Sequence, residues 1–176
     1  MKKIIIIMLV LLSATMAKAQ YKPVDNGSAL KFTIGNFGFD VNGTFSGFTG
    51  KIDFDASNPA ISIFDVTIDA ATVNTDNSLR DKHLKGDGYF DVANYPRIRL
   101  ASSAISGKGG IYKFTGKLTI KGKTKDITFP FTAAQDADGL VFRGSFKINR
   151  KDFDVGGTST ISNELEVNLK VHAVKI

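Results

Sequence analysis

The chain has 176 residues, with 23 Lys or Arg against 17 Asp or Glu, and 43% hydrophobic types, which is typical of a folded domain rather than a disordered segment. Its length suits one domain of ordinary size. The sequence has no cysteine and only two histidines, which excludes disulfide scaffolds and thiolate metal sites, so we expect no metal and no cofactor.

Residues 1–19 are predicted to be a secretory signal peptide, cleaved from a single mature domain of residues 20–176. The segment has a basic start, an apolar run at residues 4–12 that is too short to span a bilayer, and a small-x-small cleavage pattern at residues 17–19. We therefore expect a periplasmic or secreted protein, the alternative being an uncleaved membrane anchor. The mature chain has only a small excess of basic over acidic residues, which argues against nucleic acid as a partner.

Most of the mature chain alternates apolar and polar residues as a half-buried strand does. Leu30, Phe32 and Ile34, for example, alternate with Lys31 and Thr33. A period of two with one apolar face is typical of an antiparallel sheet that is wet on one side. The same alternation recurs at residues 64–68, 98–100, 112–120, 127–131, 140–148 and 165–171.

Residues 39–54 change the phase of this alternation. Phe45 has an odd number, whereas Phe48 and Ile52 have even numbers. A bulge or sharp bend near Gly47 would reset the phase, as the corners of barrels require. With this segment the sequence predicts eight strands. Turn residues occur at 58–59, 107–110, 121–123 and 136–139.

A short helix is predicted between the third and fourth strands. Ser78 and Asp81 have the spacing of a capping box, and Gly86 is placed to end the helix. Leu79 and Leu84, together with His83, are expected on one face. An irregular stretch follows, so we expect a helical plug or lid that interrupts the sheet.

Closure into a barrel is the simplest way to remove the edges of an eight-stranded antiparallel sheet. We therefore predict an all-β fold, an up-and-down lipocalin-like barrel. Its inward residues are rich in aromatic rings, in keeping with 14 Phe in the sequence. From the residues alone, the rings either line a cavity that takes an apolar guest or fill the core of a barrel or β-sandwich. The predicted lining residues are Phe32, Ile34, Phe45, Phe54, Phe64, Val66, Ile68, Leu84, Phe90, Ile98, Leu100, Tyr112, Phe114, Leu118, Phe129, Phe131, Phe142, Phe146, Leu165, Val167 and Leu169.

Four sequence segments, in order along the chain, resemble the signature of the YceI-like family. That family comprises bacterial lipocalin-like proteins that bind polyisoprenoids and related lipids. The resemblance implies a barrel whose interior holds a long apolar chain: a polyisoprenoid, an isoprenoid quinone or a fatty-acyl derivative. The matching segments are VNGTFSGFTG at 41–50, RDKHLK at 80–85 with YFDV at 89–92 and YP at 95–96, GKLTIKGKTK at 116–125, and NRKDF at 149–153.

Arg80 and His83 are the candidate contacts for the polar head group of the lipid. The alternative for Arg80 and Asp81 is local pairing that fixes the helix. His83 would be the base of a secreted hydrolase, but no Ser or Cys motif marks a nucleophile, so we do not expect an enzyme. The third class of function is a β-sandwich interaction module with a filled core.

Four lysines cluster around the turn at residues 121–123. They would contact an anionic membrane surface transiently during lipid exchange, or would belong to a solvated hairpin, as lysines at strand edges often do. The oligomeric state does not follow from the sequence. The lysines are Lys117, Lys121, Lys123 and Lys125.

Overall fold

Eight antiparallel strands close into a barrel in the computed structural model, which describes residues 19–176. The predicted signal peptide therefore lies outside the described residues, apart from Ala19. Each strand pairs with its neighbours in sequence, and β1 pairs with β8 to close the sheet. This confirms the predicted up-and-down barrel. The strands are β1 Gln20–Asn36, β2 Phe39–Asp53, β3 Ile63–Asn74, β4 Arg97–Lys108, β5 Ile111–Ile120, β6 Lys123–Gln135, β7 Gly139–Asn149 and β8 Ile161–Lys175.

One α-helix, α1 (Ser78–Lys85), and two short 3-10 turns, Pro59–Ile61 and Arg150–Phe153, complete the secondary structure of the described residues. Because the strands alternate in direction, the β1–β2 hairpin, α1, the β5–β6 turn and the Arg150–Phe153 turn all lie at one end of the barrel. We call this the mouth end. The chain termini of the barrel and the β6–β7 turn lie at the opposite, closed end. No helix within residues 19–176 has the length and apolarity needed to cross a membrane.

The predicted bend in β2 occurs at Gly47. Its φ is +75°, and a Cβ at this position would lie 2.6 Å from the Cβ of Asp69, so both backbone and space favour glycine. The register with β3 slips between Ser46 and Thr49. Asp25 accepts hydrogen bonds from the backbone N–H of Gly47 and of Phe48, at 2.8 and 2.9 Å. The bulge thus turns Phe45 and Phe48 to the same interior.

The helix has the predicted end but a different start and face. Its N-cap is Asn77, not Ser78, because the Asn77 side chain accepts the hydrogen bond of Arg80 N–H at 3.0 Å. Leu79 is 74% exposed, whereas Leu84 packs against the core. Positions five residues apart differ by about 140° around an α-helix, so these two leucines cannot share one face. The prediction of a common apolar face was therefore wrong.

Aromatic rings fill the closed end. The ring of Phe54 packs edge-on against Tyr112, Phe142 and Phe64, with centroids 5.1, 5.3 and 6.0 Å apart. Such edge-to-face contacts add to the free energy gained by burying the rings. Ala173 of β8 is fully buried at the same end. These packed rings close this end of the barrel.

Candidate functional site

Two adjoining cavities occupy the middle of the barrel and its mouth end. Their volumes are about 90 and 130 Å³, each several times the space that one water molecule needs. They share five wall residues, and we call this junction the neck: Leu30, Ile68, Ile98, Leu118 and Phe146. The interior of the barrel therefore holds open space on both sides of the neck.

The cavity walls are almost wholly apolar. The inner cavity, the smaller of the two, is bounded by side chains of all eight strands, including Phe64 and Phe129. The outer cavity lies beneath α1 and the Arg150–Phe153 turn, and its wall exposes only apolar atoms. Several inward side chains around both cavities, such as Leu100 and Leu169, are only half-buried although they face the interior. These side chains leave surface uncovered that an apolar ligand would bury.

Nineteen of the 21 predicted lining residues bound one or both cavities. The two exceptions are Phe54 and Tyr112, which lie at the closed end. Both are buried, but they pack against each other, with ring centroids 5.1 Å apart, and border neither cavity. Phe32 and Phe45 line the outer cavity, whereas Phe114, Phe131 and Phe142 line the inner one. That these residues bind lipid stays a prediction.

The model of one protein family, the YceI-like domain, matches residues 21–173. The chain belongs to the YceI-like family. Protein YceI of Salmonella arizonae is 30% identical over 167 residues, covering 89% of this chain and 87% of the relative. These matches confirm the resemblance drawn from the four sequence segments.

Solved structures agree with the family assignment. BcnA of Burkholderia cenocepacia superposes with a TM-score of 0.76 and 31% identity, covering 82% of this chain and 94% of BcnA. The YceI protein of Campylobacter jejuni gives a TM-score of 0.69 and 32% identity, covering 77% and 85%. A polyisoprenoid binding domain from Saccharophagus degradans gives a TM-score of 0.74 at 15% identity, covering 91% and 100%, and shows the shared fold.

The candidate head-group residues of this YceI-like chain do not line either cavity. Arg80 donates to the hydroxyl of Thr75 at 2.7 Å and to its backbone carbonyl at 2.6 Å. Asp81 accepts hydrogen bonds from the N–H and hydroxyl of the same Thr75 at 2.9 and 2.6 Å. His83 is exposed on α1. The contacts fit the alternative drawn from the sequence, in which Arg80 and Asp81 fix the helix.

Arg150 lines the outer cavity, although its sequence context did not predict this. It is 3% exposed and is the only buried charged side chain in residues 19–176. Burial lowers the pKa of its guanidinium from the ordinary value, although nearby Tyr89 opposes this shift. Its donors reach Ser159 Oγ and the carbonyls of Val155, Gly157, Ile161 and Ser162 at 2.8–3.2 Å.

These five hydrogen bonds turn the guanidinium away from the outer cavity, so that its carbon stem alone contributes to the wall. Arg150 thereby organises the loop that joins β7 to β8 across the mouth end. The loop brings further apolar side chains to the outer cavity, which were also missed: Phe153, Val155 and Ile161. Phe48, Ile52 and Val171 of the inner cavity were missed likewise, although the alternation of β2 and β8 marks them as inward.

Three of the four lysines around the β5–β6 turn, for which the sequence left membrane contact or a solvated hairpin open, have local partners. Lys117 pairs with Asp126 at 2.9 Å, and Lys123 pairs with Asp154 at 3.2 Å. Lys121 donates to the carbonyls of Asp87 and Asp154 at 2.6 and 3.1 Å. The two hydrogen bonds of Lys121 connect the β5–β6 turn to the loops that cover the mouth end. Lys121 therefore has a structural role.

His172 forms a charged cluster at the closed end, remote from the cavities. Its Nδ1 lies 3.0 Å from the Asn26 carbonyl, and its Nε2 lies 2.9 Å from Asp138 Oδ1 and 3.9 Å from Asp136 Oδ2. Both nearest partners accept hydrogen bonds, so only the imidazolium, with two N–H groups, satisfies both. The hydrogen bond to Asn26, followed by the effects of Asp138 and Asp136, raises the pKa of His172, while burial opposes the shift.

This cluster predicts a pH-dependent contribution to stability. Because the pKa of His172 is raised in the folded protein, its contribution is complete below the unfolded value of about 6.5 and is lost as pH rises through the folded pKa. We expect His172→Gln to lower Tm at pH 5.5 and to lower it less at pH 9. Thermal denaturation across this range measures the difference.

The matched control for this prediction is His83→Gln on exposed α1. Because the His83 side chain is exposed, this variant should change Tm little at either pH. A gap between wild type and His172→Gln that stays constant or widens toward pH 9 would contradict the doubly donating imidazolium.

Proposed function

We propose that this YceI-like protein binds the apolar chain of a lipid in its barrel and carries it through an aqueous compartment. The observation that carries the proposal is the pair of adjoining cavities whose walls are almost wholly apolar. An apolar wall favours the burial of hydrocarbon. It offers no hydrogen-bond partner to a polar ligand, whose burial would therefore be costly. The relative from Saccharophagus degradans, described as a polyisoprenoid binding domain, supports polyisoprenoids as the ligand class.

Chain length should determine the affinity. Burying one methylene-sized group contributes about 0.8 kcal/mol, so a five-carbon isoprene unit contributes roughly 3–4 kcal/mol before losses. Association and ordering of the chain cost about 4–15 kcal/mol. A very short chain therefore binds weakly, and each further unit that enters the cavities strengthens binding until they are full.

The proposal extends to location and to the absence of catalysis. The signal peptide predicted for residues 1–19 would deliver the protein to the periplasm or the exterior, where a lipid chain needs a soluble carrier. The outer cavity offers no exposed polar atom that would act as an acid, a base or a nucleophile. These observations support a binding protein rather than an enzyme, for a polyisoprenoid, a quinone with an isoprenoid tail or a fatty-acyl derivative.

A series of prenyl alcohols tests the proposal. Geraniol, farnesol, geranylgeraniol and solanesol would compete with a fluorescent fatty acid for the delipidated protein. We expect affinity to rise at least tenfold for each added unit that enters the barrel and then to level off. Quinones of equal tail length should bind within a few-fold of the alcohols. Failure of every member to displace the probe, or affinities that follow the head group rather than the tail, would overturn the proposal.

A further inference from the structure

The tip of the β1–β2 hairpin carries two exposed aromatic rings at the mouth end. Phe37 is 75% exposed and Phe39 is 78% exposed, the two most exposed large hydrophobic residues among those described. Single exposed apolar residues are ordinary on protein surfaces, but two neighbouring rings at the tip of one hairpin are not explained by the fold.

The backbone at this tip disfavours phenylalanine. Phe37 and Gly38 have φ angles of +51° and +83°, which is the pattern of a two-residue hairpin turn with both central residues left-handed. Asn, Asp and Gly are the usual residues at the first of these positions, and a bulky side chain there is strained. Phe37 therefore occupies a position where it weakens the hairpin and gains no burial. Strain kept at an exposed position points to a role outside the fold.

The neighbouring element at the same end is basic and also exposes an apolar side chain. Asn74 at the end of β3 pairs with Thr44 of β2, so the segment that leads into α1 leaves the sheet beside the base of the hairpin. Leu79 of α1 is 74% exposed, and Lys82 and Lys85 of the same helix are exposed. Protruding apolar side chains flanked by lysines match the surface of an anionic bilayer, where rings enter the interface and ammonium groups meet phosphates.

We propose that Phe37 and Phe39, with Leu79 and the lysines of α1, dock the mouth end of the barrel on a bilayer that contains anionic phospholipid. The outer cavity lies at this end, so docking would let an apolar chain pass between bilayer and barrel with little exposure to water. The purpose of docking depends on the proposed lipid carriage, whereas docking itself does not require a cargo. Asp40 and Asp76 are also exposed at this end, so the rings should contribute more to affinity than the net charge does.

The test measures binding of delipidated protein to phosphatidylcholine vesicles with and without phosphatidylglycerol, by co-sedimentation. We expect binding to the mixed vesicles, and a loss of about tenfold or more for each of Phe37→Asn and Phe39→Ser. Phe37→Asn has a second readout, because asparagine suits the turn and should leave Tm unchanged or raise it. Ile111→Ser is the matched control, since Ile111 is 66% exposed at the closed end.

No binding of wild type to either kind of vesicle would overturn the docking proposal, as would equal losses for Phe37→Asn and Ile111→Ser. Prenyl-alcohol binding, measured on the same samples, is expected to persist in both variants. Retained prenyl-alcohol binding without vesicle binding would reject docking alone, and vesicle binding without prenyl-alcohol binding would reject lipid carriage alone.

Discussion

The double substitution Leu30→Phe/Ile98→Phe should abolish binding of long prenyl lipids while leaving the barrel folded. Leu30 on β1 and Ile98 on β4 both line the neck between the two cavities. Their strands lie three apart in the order of the barrel, so the two side chains enter the neck from different sides. Two added rings would close the neck and use space that is empty in the structure, so the cost of overpacking should be small. A long chain would then lose the inner cavity, whereas a short one would keep the outer cavity.

The expected result is a fall of about 100-fold or more in affinity for solanesol, because at least one isoprene unit loses its burial. The affinity for farnesol should fall much less. Displacement of a fluorescent fatty acid measures both, and Tm reports the fold. Ile63→Phe/Ile111→Phe is the matched control, because these residues are 52% and 66% exposed outside the barrel. Unchanged solanesol binding in the neck variant would place the chain elsewhere than in the cavities.

Replacing Arg150 with Met should destabilise the protein by about 3 kcal/mol, which corresponds to roughly 10 °C in Tm for a domain of this size. The guanidinium donates to four backbone carbonyls and one hydroxyl of the β7–β8 loop, and methionine would leave these acceptors without their partner. Part of the loss is offset because a buried charge no longer needs to be desolvated. The loop should loosen first, and with it the wall of the outer cavity.

Thermal denaturation and hydrogen exchange of residues 150–161 measure these two effects. Arg143→Met makes the same chemical change on the exposed face of β7 and should shift Tm by a degree or two at most. Arg150→Lys should fall between wild type and Arg150→Met, since an ammonium group reaches fewer of the carbonyls. Equal melting temperatures for Arg150→Met and Arg143→Met would contradict the structural role assigned to the buried guanidinium.

The barrel could be predicted because its signal is local. A period of two marks each strand wherever it lies in the chain, and the phase change at Gly47 marks the bulge without knowledge of its neighbours. The division of the interior is different. Phe54 and Phe129 both follow the inward pattern, yet Phe54 packs among four other rings and borders neither cavity, whereas Phe129 borders the inner one. That outcome depends on strand register and on rings from distant segments.

The roles of the two arginines were hard to predict for a related reason. Arg80 lies in a dense polar cluster that resembles a ligand-binding site. Its guanidinium N–H groups instead donate to Thr75, five residues earlier in the chain. Arg150 lies in a short segment before β8 that resembles an ordinary surface turn. Its burial depends on carbonyls as far as Ser162, which converge only after the loop has folded. The family motif at residues 149–153 was the one signal that pointed to this segment.

Native mass spectrometry of the protein purified from its own host, with no lipid added, tests the central claim most directly. We predict a mass above that of the bare mature chain by one apolar lipid, which organic solvent extracts and added solanesol replaces. A barrel that is isolated at the bare mass and takes up no solanesol would contradict the claim that its hollow interior holds a lipid chain.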